Sequence, residues 1–103
     1  MKELNISNFQ TEVEKAEIAL VDFFATWCGP CRMIAPVLEE VDREMSDVSV
    51  FKIDVDQNPA LADQFSIEAV PTLLFFKKGE LIKKKTGVYP KDALELIIKE
   101  VRG

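Results

Sequence analysis

Ile18-Ala19-Leu20-Val21-Asp22-Phe23-Phe24-Ala25-Thr26-Trp27-Cys28-Gly29-Pro30-Cys31 joins the most apolar run of the chain to both of its cysteines. Residues 18–24 are apolar on both alternating faces apart from one acid, the pattern of a central strand covered on both sides. If the segment from Cys28 onward opens a helix, residues three apart share a face with Cβ atoms roughly 5 to 6 Å apart, within reach of a disulfide after small adjustment. The two sulfurs can then exist as a dithiol or as a small ring.

Upstream of this stretch, Lys2 to Asn5 reads as a short first strand. Ser7-Asn8-Phe9-Gln10 reads as a capping box that opens a helix to about Lys15, with Phe9 and Val13 on its buried face. Downstream, Ile34, Val37, Leu38, Val41 and Met45 recur at helical spacing against Arg32, Glu39, Glu40, Arg43 and Glu44. Pro36 inside this long helix predicts a kink, because it removes the partner of the Arg32 carbonyl. Val48 to Val55 is the next strand, and Asn58-Pro59 is an N-cap and first-turn proline for a short helix to about Phe65.

Thr72 to Phe76 and Leu81 to Thr86 flank the turn Lys77-Lys78-Gly79-Glu80, and a last helix from Pro90 carries Leu94, Ile97, Ile98 and Val101 on one stripe. The alternation of strands and helices predicts an α/β fold: a central mixed sheet of about five strands, parallel in part, with a C-terminal antiparallel hairpin and four flanking helices.

With 103 residues, 48% of them apolar, the chain is expected to be one domain spanning residues 1–103 with its own core. A formal net charge of −5 argues against a nucleic-acid partner. No apolar run has the length of a signal peptide or a membrane span, so a cytoplasmic location with no membrane partner is expected. Two cysteines in a domain that needs no staples point to chemistry.

Cys28, at the helix start, would have its thiolate stabilised by unpaired N–H groups and the helix dipole, which makes it the expected nucleophile. Cys31, one turn further in, would be shielded and would attack only once a mixed disulfide has formed on Cys28. Gly29 and Pro30 keep the loop tight without adding charge. A structural zinc site needs about four ligands, and two Cys with no His do not supply them, so no metal is expected. A purely structural disulfide is also disfavoured, because so small a ring constrains little of the unfolded chain.

Asp22 is anomalous inside an apolar strand. Burial would raise its pKa and poise it for proton transfer, although a buried acid simply satisfied by hydrogen bonds reads the same way. Lys52 could be a snorkelling side chain or, if near Asp22, could oppose that rise. Pro71 before a strand reads by itself as a turn, and Lys83, Lys84 and Lys85 as guards of an edge strand.

Together these residues resemble the thioredoxin family over nearly the whole chain. Residues 21–31 resemble its active-site segment, Val70-Pro71-Thr72 its cis-proline segment, and Lys78-Gly79 and Gly87 its later glycine positions. The resemblance implies a thioredoxin fold and a protein-disulfide reductase in which Cys28 attacks, Cys31 resolves, Asp22 exchanges a proton with Cys31 through water, and Lys52 tunes Asp22. It also implies a cis Pro71 beside the sulfurs, with the Val70 backbone free to pair with an extended substrate. Trp27, Ala69, Val70, Gly87 and Val88, with Gly29 and Pro30, would form the docking surface; without the resemblance Trp27 reads as a packing residue.

Phe24, where the bacterial type often carries tryptophan, and the bulky Val88-Tyr89-Pro90 depart from the family pattern. The expected protein is therefore a monomeric carrier with no bound cofactor beyond a redox-active Cys28-Cys31 disulfide, reduced by a thioredoxin reductase-type donor and acting on protein disulfides. Gly-Pro between the cysteines supplies no imidazolium, which favours a reductant. The alternatives are a disulfide oxidase or isomerase on the same fold, and a non-enzymatic binding subunit.

Overall fold

The structure, a computed structural model describing residues 1–103, runs β1 (Lys2–Glu3), α1 (Phe9–Lys15), β2 (Ile18–Phe24), α2 (Gly29–Glu44), β3 (Val48–Asp54), α3 (Pro59–Gln64), β4 (Thr72–Lys77), β5 (Glu80–Thr86) and α4 (Lys91–Arg102). The strands form one mixed sheet in the order β1-β3-β2-β4-β5, with β2 at its centre. β1, β3 and β2 are parallel, while β4 is antiparallel to β2 and β5 to β4. The change of direction thus falls between β2 and β4, ahead of the hairpin. Six-residue α3 spans only about 9 Å. It does not carry the chain back along the sheet, so β4 starts where β2 ends, Thr72 beside Phe23.

Strand alternation sorts the core into two layers. Ile18 and Leu20 of β2, Val48 and Val50 of β3, and Leu73 and Phe75 of β4 face α2 and α4, where they meet Ile34, Leu38, Val41, Leu94, Ile98 and Val101. Ala19, Val21, Phe23, Phe51, Ile53, Leu74 and Phe76 face the other way, against Phe9 and Val13 of α1 and Leu61 of α3. A sheet covered on both faces explains why β2 is nearly continuously apolar.

Three local expectations are corrected. The capping box is replaced by an asparagine pair: the Asn5 N–H donates to Asn8 Oδ1, while the Ser7 N–H and hydroxyl both donate to Asn5 Oδ1, and no side chain caps α1. Asn58 precedes α3 without capping it by its side chain, because its Nδ2 donates back to the Asp54 carbonyl from a buried position. β3 closes at Asp54, one residue short of the expected end; the Val55 N–H still bonds to the Phe24 carbonyl at 2.9 Å, and Asp54 Oδ1 accepts the N–H groups of Asp56 and Gln57 to turn the chain out of the sheet just beyond it. α2 runs unbroken through Pro36.

Candidate active site

β2 and α2 meet at the cysteines. Leaving β2 at Phe24, the chain makes one turn closed by the Cys28 N–H on the Ala25 carbonyl at 3.2 Å, and α2 begins at Gly29 with Cys28 as its N-cap. Pro30 fits that first turn because its absent N–H would have had no helical partner. Cys28 and Cys31 are joined by a disulfide with Cα atoms 5.3 Å apart. The Cys31 N–H, one of the free donors of the helix start, points at Cys28 Sγ at 3.1 Å.

The two cysteines do not differ in burial as expected. Cys28 is 3% exposed and Cys31 4%, both packed with Ala25 and against Phe24, Val55 and Val70. What distinguishes the two is their surroundings. Cys28 Sγ lies 3.7 Å from the Val70 carbonyl, and the Val70–Pro71 bond is cis. Cys31 instead lines a cavity of about 280 Å³ with Asp22, Lys52, Phe24 and Arg32.

Asp22 reaches this cavity by strand periodicity: it continues the row of Ile18 and Leu20 toward α2, with Lys52 and Leu73 as its register partners on either side. It is buried, and its Oδ1 has no hydrogen-bond donor within the protein. Burial pushes its carboxyl up from 3.8 to about 7, against a smaller downward pull from the Lys52 ammonium. The competition between these two effects is therefore won by desolvation. Lys52 forms no ion pair with Asp22; its Nζ sits 5.5 Å from the centre of the Phe24 ring.

Trp27 is 68% exposed, which excludes a packing role for its ring. It forms one wall of a groove of about 170 Å³ with Val55, Ile67, Glu68, Ala69 and Val70. Gly87 and Val88 lie outside that groove. Gly87 is tied to the site through its N–H on the Pro71 carbonyl at 2.9 Å, and its φ of 108° is one that glycine adopts freely. Val88 is exposed, and Gly29 and Pro30 cover the helix start.

Sequence reasoning missed Asp56, which accepts the Trp27 indole N–H at 2.9 Å, and Arg32, which donates to the Thr26 carbonyl at 2.9 Å and braces the loop. It also missed Val55, Ile67 and Glu68. Asp56 lies 29 residues from Trp27, and nothing local in the chain couples the two. The alternating strand pattern could have placed only the end of β3 near the end of β2.

A cysteine pair at the start of a helix, on the end of the central strand of a mixed sheet and beside a buried carboxyl, defines a thiol–disulfide exchange protein. The thioredoxin family model matches residues 1–100. Thioredoxin of Alicyclobacillus acidocaldarius is 46% identical over 99 residues, covering 95% of this chain and 94% of its own. Thioredoxin of Bacillus subtilis is 46% identical over 92 residues, 88% of each chain. The solved structure of a mutant thioredoxin from Halobacterium salinarum superposes with a TM-score of 0.87 at 37% identity, covering 96% of this chain and 89% of its own. The chain belongs to the thioredoxin family. It is a thiol–disulfide oxidoreductase that reduces protein disulfides, with the Cys28–Cys31 disulfide as its redox centre and a reductase as its electron source. No helix is long and apolar enough to cross a membrane.

Proposed function

We propose that Cys28 is the attacking sulfur, Cys31 the resolving one, and Asp22 the group that exchanges the resolving proton. In the reduced protein the Cys28 thiolate attacks one sulfur of a target disulfide, forming a mixed disulfide and expelling the other target sulfur as a thiolate that takes up a proton. The Cys31 thiol then gives its proton to Asp22 through water in the shared cavity and attacks Cys28 Sγ, releasing the second target thiol. The target gains two electrons and two protons, one proton carried from Cys31 by way of Asp22 to the second released sulfur and one taken from solvent by the first, and a reductase restores the dithiol.

The observation that carries this reading is the Cys31 N–H aimed at Cys28 Sγ at 3.1 Å on the helix N-cap, a donor placed to stabilise negative charge on that sulfur. A pKa of about 7 suits Asp22 to accept and return a proton near neutral pH, and Lys52 keeps it from rising further. Docking is assigned to Trp27, Ala69, Val70, Gly87 and Val88, with Gly29, Pro30 and cis Pro71 shaping the approach. None of the fold's backbone hydrogen bonds uses Val70, which leaves it free to pair with an extended target segment.

Residues 1–103 are read as a single thioredoxin domain, a monomeric cytoplasmic carrier with no nucleic-acid or membrane partner, in keeping with a net charge of −5. Reduction of insulin disulfides by the protein, with reductase and its electron donor present, tests the activity. Turnover is expected for the native chain and absent when both cysteines are serine; equal turnover in that variant would overturn the redox role.

A further inference from the structure

The groove beside the cysteines is apolar with one exception. Trp27, Val55, Ile67, Ala69 and Val70 line it together with Glu68, and no lysine or arginine does. A second carboxylate, Asp56, holds the Trp27 indole at one wall. Arg32, the cation nearest the pair in sequence, is engaged with the Thr26 carbonyl and lines the Asp22 cavity instead of this groove.

The segment that carries Glu68 is held at both ends. α3 closes with the Ile67 N–H on the Ala62 carbonyl at 2.9 Å and Ser66 in the left-handed region at φ 53°, the pattern of a Schellman ending in which glycine is usual. The carbonyls of Phe65 and Ser66 that this ending turns outward both accept from Lys84 Nζ, at 3.0 and 2.9 Å, reaching across from β5. Beyond Glu68, the Ala69 carbonyl accepts the buried Thr72 hydroxyl at 2.6 Å. The backbone under Glu68 is thus fixed before any partner arrives, which lowers the entropy lost when a charge is matched there.

We propose that Glu68, reinforced by Asp56, makes this groove selective for disulfide-bearing segments with a lysine or arginine beside the reacting cysteine. The proposal rests on the reading of the groove as the docking surface. A target segment paired along Val70 passes its flanking residues over the groove, where a basic side chain meets a carboxylate and an acidic one meets like charge; the cation that holds this segment, Lys84, lies outside the groove lining and is engaged with the Phe65 and Ser66 carbonyls. The net charge of −5 favours encounter with basic partners in general.

Two disulfide peptides identical except for lysine or glutamate on either side of the cysteine test this, with kcat/KM read for the reduced protein. The native chain is expected to favour the lysine peptide by about two- to five-fold, the range for an exposed ion pair. High salt compresses the preference, and Glu68→Arg brings it to one or below. A native ratio of one, or a ratio unchanged in Glu68→Arg, overturns the proposal. Trp27→Ala separates the two levels. Slowing both peptides alike supports the groove as the docking surface, so that an unchanged Glu68→Arg ratio would then defeat the charge selectivity alone. Unaltered rates for both peptides in Trp27→Ala would remove the docking reading itself.

Discussion

Asp22 carries the largest electrostatic cost in the site. The carboxyl of the unfolded chain ionises near 3.8, whereas the folded chain holds its proton to about 7. Between those values the native state binds more protons than the unfolded one, so this group lowers stability as pH rises through the interval and has a constant effect above it. Asp22→Asn is expected to stabilise the oxidised protein by about 2–4 kcal/mol at pH 8 and by almost nothing at pH 4, because a tenfold change in proton affinity corresponds to roughly 1.4 kcal/mol. Denaturant unfolding at the two pH values measures it, and an equal gain at both would contradict burial as the source. The same variant is expected to slow resolution of the mixed disulfide more than the initial attack. Asp22 was legible in the sequence as a lone acid among Ile, Leu, Val and Phe, but its winning effect was not, since that depends on how far Lys52 stands from it.

At the scale of elements, periodicity was a reliable guide and capping was not. The buried stripes of α2 and α4 and the two-faced burial of β2 follow from side-chain spacing, a property each element carries within itself. Asn8 and Asn58 sit at helix starts, yet each directs its amide at a different local backbone group. Several short-range partners compete for such side chains, and the sequence does not rank them. The turn Lys78-Gly79 joins β4 to β5 with φ of 49° and 85°, both left-handed. Lys77 pairs with Ile18, so this turn lies at the opposite end of seven-residue β2 from the cysteines, about 20 Å away. A Cβ at position 79 would also stand 3.1 Å from Glu14 Cγ. Gly79→Ala is expected to destabilise by about 1–2 kcal/mol in a melting experiment while the folded variant reduces insulin at the native rate. A rate defect without loss of stability would place this turn in the chemistry.

Across the whole molecule, the site exists because three separate stretches meet at one end of the central strands. β2 delivers Asp22 and then the cysteines, β3 delivers Lys52 and then Asp56, and the loop into β4 delivers Glu68, Ala69, Val70 and Pro71. The pairing of Asp22 with Lys52 is a matter of register between parallel strands 30 residues apart, which no local pattern specifies. The family resemblance supplied that convergence, whereas residue patterns alone yielded the strands, the helices and two sulfurs able to meet. It did not supply the equal burial of Cys28 and Cys31, which follows from packing around the closed disulfide.

Unequal roles for two equally buried sulfurs are the central claim, and trapping tests it directly. Reduced Cys31→Ser protein, mixed with a disulfide-bonded protein target and analysed by non-reducing electrophoresis and peptide mass mapping, is expected to accumulate a stable mixed disulfide through Cys28. Cys28→Ser is expected to accumulate little or none. Trapping through Cys31 in the Cys28→Ser protein, with none through Cys28 in its counterpart, would contradict the assignment.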